Sequence, residues 1–193
     1  MMPAAAVASI LLCVALVSSL YYTWTTSARM PGTTLRTFTG HSDFVSAVAW
    51  SPDGHYIASG SWDHTVQVWN ALTGALVTTY TASGRSDGGG HTELISALAW
   101  SPDGRFIASG SWDHTVQVWN AMTGQLITMY GGHTEEVSSL AWSPDGRFIA
   151  SGSWDHTVQV WEAFTGIHRR TFNQNSSLSE FVNAVAWSQM DAT

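Results

Sequence analysis

One block of twenty residues occurs three times in this chain, almost unchanged. Residues 51–70 read SPDGHYIASGSWDHTVQVWN, residues 101–120 read SPDGRFIASGSWDHTVQVWN, and residues 143–162 read SPDGRFIASGSWDHTVQVWE. The first two copies agree at 18 of 20 positions and the last two at 19. A tryptophan precedes each block, and Trp50, Trp100, Trp142 and Trp187 are spaced by 50, 42 and 45 residues. A period of this length means an array of like supersecondary units, none of which buries a core alone. The longer first interval is explained by an insertion at residues 83–90 (SGRSDGGG), which reads as a glycine-rich loop.

Each unit reads as a four-stranded meander. Residues 45–50 alternate in polarity and run into Ser-Pro-Asp-Gly, where Pro52 presets a turn and Gly54 tolerates the positive φ that closes a hairpin. Residues 56–61 form the expected second strand. Trp62, Asp63 and His64 turn the chain, and residues 65–69 (TVQVW) supply a β-rich third strand. Residues 71–74 are the next turn and residues 76–80 an outer strand. Such a meander has two faces to cover, so neighbouring units must stack on it.

The Gly-His, Ser-Pro-Asp-Gly, Ala-Ser-Gly-Ser-x-Asp-x-Thr and Val-x-Val-Trp elements, repeated in fixed order, resemble the WD40 repeat family over residues 35–193. The resemblance implies an all-β fold: a partial β-propeller of about three and a half four-stranded blades. Complete blades fall near 41–81, 91–131 and 133–173, an incomplete one at 180–193, and an outer strand leads at 35–39. It also implies an internal hydrogen-bonded tetrad in each blade, made by His41, Ser59, Asp63 and Trp69, then His91, Ser109, Asp113 and Trp119, then His133, Ser151, Asp155 and Trp161. A buried carboxylate needs donors, and imidazole, hydroxyl and indole N–H supply them. The family's upper rim, where partners dock, maps onto Trp62, Trp112 and Trp154, with Phe44 and Ser46, Leu94 and Ser96, Glu136 and Ser138, and Phe181 and Asn183 flanking the start of each inner strand. For the tryptophans, packing across to an adjacent blade is the competing role; for Phe44, Leu94 and Phe181 it is packing at the strand start.

Histidine, serine and aspartate are also the parts of a hydrolase triad. No Gly-x-Ser-x-Gly turn accompanies them, and three copies of one constellation point to architecture, so no catalytic residue is expected. His64, His114 and His156 recur at equivalent turns. Equivalent points on packed sheets lie about 10 Å apart, too far for one zinc ion, so no metal and no cofactor is expected.

Fourteen acidic residues face seven basic ones, all arginine, a balance that argues against general nucleic-acid binding. Cys13, the single cysteine, lies outside the repeats and leaves them without an internal disulfide. Residues 1–28 carry no charged side chain, and residues 4–22 are long enough as a helix to cross a bilayer core. This segment reads as an N-terminal transmembrane helix with the repeats facing the cytoplasm; a secretory signal and a segment foreign to the domain are its rival readings, and a cytoplasmic soluble protein is the alternative location. Residues 29–34 are a linker.

Three functions remain open: a non-catalytic scaffold, possible as a membrane-tethered one, that binds a protein or peptide; a sensor fragment of a larger signalling ATPase or kinase; and a truncated, non-functional fragment. Three and a half blades do not close a ring, which favours the view of the chain as part of a longer repeat protein.

Overall fold

The computed structural model describes residues 34–82, 89–173 and 181–188. Twelve strands form three antiparallel sheets. The first contains β1 (Val45–Trp50), β2 (Tyr56–Ser61), β3 (Val66–Asn70) and β4 (Leu76–Tyr80). The second contains β5 (Ile95–Trp100), β6 (Phe106–Ser111), β7 (Val116–Asn120) and β8 (Leu126–Tyr130). The third contains β9 (Val137–Trp142), β10 (Phe148–Ser153), β11 (Thr157–Glu162) and β12 (His168–Asn173). In each sheet, strand order follows chain order, the meander expected from the repeat.

Local chemistry explains the turns. In the first hairpin, Gly54 takes a φ of 72° and its N–H donates to the Ser51 carbonyl at 2.9 Å. The Ser51 hydroxyl donates to Asp53 Oδ1 at 2.6 Å and accepts from the Tyr56 N–H at 2.9 Å. At the third turn, Asn70 Oδ1 accepts the backbone N–H groups of Leu72 and Thr73 at 3.1 and 2.8 Å. Between them, His64, His114 and His156 all sit in the left-handed region at φ 66°, 67° and 67°, a conformation uncommon outside glycine but less so for histidine.

The hydrophobic core lies between the sheets. One cluster joins Ala58, Val66, Val68 and Tyr80 of the first sheet to Ile95, Trp100, Ile107 and Trp119 of the second; another joins Val116, Val118 and Tyr130 to Val137, Trp142, Ile149 and Trp161. Close approach requires glycine at the contact. A Cβ on Gly60 would stand 2.5 Å from Ile95 Cγ2, and one on Gly110 2.7 Å from Val137 Cγ1. The outer strands seal the same junctions, with Tyr80 stacked on Trp119 and Tyr130 on Trp161, both at 4.9 Å.

Two expected strands are absent. Residues 34–44 contain no strand, and neither do residues 181–188. A strand is a hydrogen-bonded ladder, and among the described residues no strand pairs with either segment. Residues 181–187 nevertheless dock as an inner strand would: Val182 is buried, its N–H donates to the Ser153 carbonyl at 3.3 Å, and Trp187 Nε1 donates to the Ala141 carbonyl at 3.0 Å. Phe38 likewise lies on Trp69 at 5.3 Å, as Tyr80 does on Trp119. The expected helix in residues 1–28 and most of the loop at 83–90 lie outside the described residues. Among the described residues there is no helix, and none long and apolar enough to cross a membrane.

Candidate functional site

Each sheet gathers its tetrad residues from a loop and two strands. His41, His91 and His133 precede the inner strands, the serines lie in β2, β6 and β10, the aspartates in the following turns, and the tryptophans in β3, β7 and β11. In the first sheet His41 Nδ1 is 2.9 Å from Asp63 Oδ2, His41 Nε2 is 2.8 Å from Ser59 Oγ, and Trp69 Nε1 donates to Ser59 Oγ at 2.8 Å. The second repeats this with His91, Asp113, Ser109 and Trp119 at 2.8, 2.7 and 2.8 Å. A carboxylate only accepts, so Nδ1–H donates to it, Nε2 accepts the serine hydroxyl, and the serine oxygen accepts the indole N–H. In the third sheet His133 meets Asp155 at 2.7 Å and Ser151 at 2.8 Å, but the buried Trp161 Nε1 has no hydrogen-bond partner. That tetrad is a triad here, and Trp161 is held by stacking on Tyr130 instead.

Burial is the strongest single influence on Asp63 and Asp113, and it raises them. Hydrogen bonds outweigh it: from the Thr65 hydroxyl, the Ser42 N–H and His41 in one case, and from His91 and Thr115 in the other. Both carboxyls are held at about 2. Asp155 is shifted in the same direction, and burial pushes His133 below its ordinary value against the pull of Asp155. Thr65, Thr115 and Thr157 each donate to the aspartate two residues before them, at 2.7, 2.6 and 2.6 Å. The Asp-x-Thr spacing carried that signal, yet sequence reasoning left the threonine without a part. It also passed over the buried Gln67, Gln117 and Gln159, which donate to the carbonyls of Gly40, Gly90 and Gly132 at 3.2, 3.1 and 3.0 Å and so anchor the histidine loops.

Serine, histidine and aspartate are thus joined in the order of a hydrolase triad. The serines are at most 7% exposed, and in two sheets an indole N–H caps the oxygen that would attack. The geometry serves the fold.

At the rim, Trp62 and Trp112 are 44% and 37% exposed, and Trp154 is half-buried. Their N–H groups donate to the carbonyls of Phe44, Leu94 and Glu136 at 2.8, 3.1 and 3.0 Å, which pins each tryptophan beside the start of its inner strand. Phe44 packs edge-on against Trp62 at 5.4 Å, Trp112 meets Trp154 across a junction at 5.6 Å, and Trp154 stacks on Phe181 at 4.9 Å. All three tryptophans are in part exposed, and Trp112 and Trp154 also pack across to the next unit. The serines beside them also bind backbone. Ser46, Ser96 and Ser138 donate to Gly60, Gly110 and Gly152 carbonyls at 3.2, 3.1 and 3.0 Å, and across the junction to the Ile95, Val137 and Val182 carbonyls. The bulge that starts each inner strand turns these hydroxyls onto backbone, so they fasten units together, while Ser46 stays exposed and Ser96 and Ser138 half-buried. Asn183 is exposed.

The family described as WD domain, G-beta repeat matches residues 32–70, 77–120 and 124–162, more than half of the chain. The Notchless protein homolog of Arabidopsis thaliana is 50% identical over 42 residues, 22% of this chain and 9% of that protein. Ribosome assembly protein 4 of Saccharomyces cerevisiae is 43% identical over 42 residues, 22% of this chain and 8% of its own. The chain therefore spans less than a tenth of either relative. Among solved structures, the WD40 repeats of RRP9 superpose with a TM-score of 0.71 at 25% identity, covering 78% of this chain and 44% of theirs.

Proposed function

The chain belongs to the WD40-repeat family, and we propose that it is a non-catalytic scaffold whose rim binds a protein or peptide through Trp62, Trp112 and Trp154. The observation that carries this reading is the aromatic row itself: large indoles left in part exposed in the turn after the second strand of each sheet, each tied by a backbone hydrogen bond to the residue before the inner strand. Exposed tryptophan on a fixed backbone loses little entropy on binding and is a favoured hot-spot residue. The net charge of −7 directs the rim toward partners that are not acidic. That relatives include a ribosome assembly protein is compatible with work inside a larger complex.

Peptides selected from a displayed random library against the full chain test the reading. Replacing Trp62, Trp112 and Trp154 together by alanine should abolish their binding, while replacing Leu72 and Met122, exposed in the outer turns, should leave it intact. Equal binding by both variants would remove the rim assignment. Membrane tethering through residues 4–22, with the repeats facing the cytoplasm, is a separate proposal resting on their apolar composition. Release of the expressed chain from membranes by alkaline carbonate would overturn it.

A further inference from the structure

We infer that His114, Glu135 and Glu136 form a binding site for a zinc-class divalent metal ion that staples the second sheet to the third. The ligand atoms these three side chains offer all lie within 4.8 Å of one another. Zinc binds imidazole nitrogen and carboxylate oxygen tetrahedrally at about 2.0–2.2 Å, so its ligand atoms stand about 3.4 Å from one another. Small rotations of three flexible side chains bring the set to that spacing. One imidazole and two carboxylates also neutralise a divalent charge, and the fourth position stays open to water or to a partner's side chain.

The surrounding backbone favours this arrangement. His114 is fixed in its left-handed turn, with its N–H directed to the Ser111 carbonyl. The Glu135 carbonyl accepts the Ser153 hydroxyl at 3.2 Å, and the Glu136 carbonyl accepts the Trp154 N–H at 3.0 Å. Among the described residues, none of the three side chains has another hydrogen bond or ion pair.

The repeat itself shows that Glu136 is not needed for the junction. At the place of Glu136 the second sheet carries Leu94, and the segment after the third carries Phe181, which stacks on His156 at 5.5 Å. The histidine recurs at every junction; the pair of carboxylates beside it occurs only here.

Titration of the tag-free full chain with zinc in a calorimeter tests the inference. One ion should bind per chain and raise the melting temperature. His114→Asn keeps a residue that tolerates the left-handed turn, and Glu136→Leu installs the residue found at the equivalent position 94. Each should weaken zinc by at least about tenfold and remove the zinc-dependent rise in melting temperature, while the zinc-free melting curve stays close to that of the parent. Absence of zinc binding by the parent chain at millimolar concentration, or equal binding by both variants, would overturn it.

Discussion

Trp100 Nε1 donates to the backbone carbonyl of Ala49 at 3.0 Å, so that an indole of the second sheet closes on the inner strand of the first. Trp142 repeats the bond to Ala99 at 3.1 Å, and Trp187 to Ala141 at 3.0 Å. Trp50 is the same residue in the same repeat, yet it is 60% exposed where Trp100 and Trp142 are 8% exposed, because among the described residues no sheet precedes it. Trp100→Ala should therefore cost about 3–5 kcal/mol, and Trp50→Ala no more than about 1 kcal/mol. Urea denaturation midpoints for the two variants check the difference.

Gly110 faces Val137 across the second junction with no room for a methyl group. Gly110→Ala should destabilise by about 1–3 kcal/mol through overpacking. Val137→Ala removes the atoms it strikes, so the double variant should lose less than the two single losses added together. A double-mutant cycle from the same denaturation curves measures that coupling.

Ser139 Oγ is buried without a hydrogen-bond partner, at a position filled by Ala47 and Ala97 in the other two sheets. Ser139→Ala should raise stability by about 1 kcal/mol, since it removes an unsatisfied hydroxyl and fits a site that alanine already occupies elsewhere in the chain. A rise in melting temperature is the expected reading.

The tetrad carboxylates set the response to acid. Asp63 and Asp113 stand at about 2 in the folded chain against an ordinary 3.8, so the folded state holds its charge where the unfolded chain takes up a proton. The stability they confer is present above 3.8 and is lost as pH falls toward 2. Asp155 acts in the same sense. His133 is lowered from 6.5, so its contribution is present above that value and declines below it. Melting temperature should be level above neutrality, fall gently below about pH 6.5, and drop steeply between about 4 and 2. Asp113→Asn should cost about 2 kcal/mol at neutral pH and shallow the steep limb. Thermal melts across this range measure both.

Much of the fold was legible because each repeat states its own turns. Pro52, Gly54 and Asn70 mark hairpin ends by backbone chemistry that acts within a few residues, and β1, β2 and β4 fall where the alternation and the turns put them. The tetrad partners were legible only through the family resemblance, since His41 and Asp63 lie 22 residues apart and nothing in their spacing states a contact. Trp161, preceded by the same eighteen residues as Trp119 but with its indole N–H left without a hydrogen bond, shows where likeness of sequence stops short of identity of structure.

What the sequence determined by itself is the unit: a meander whose strands, turns and buried carboxylate recur because they depend on near neighbours. Tertiary structure decided what each copy does with the same residues. Ser46, Ser96 and Ser138 bound carbonyls of the next unit, Trp50 stayed in solvent while Trp100 closed a junction, and His114 came beside two glutamates from the following unit. The physical reason is common to all three. Burial and pairing belong to the space between units, and the sequence of one unit does not specify what stands on its other side.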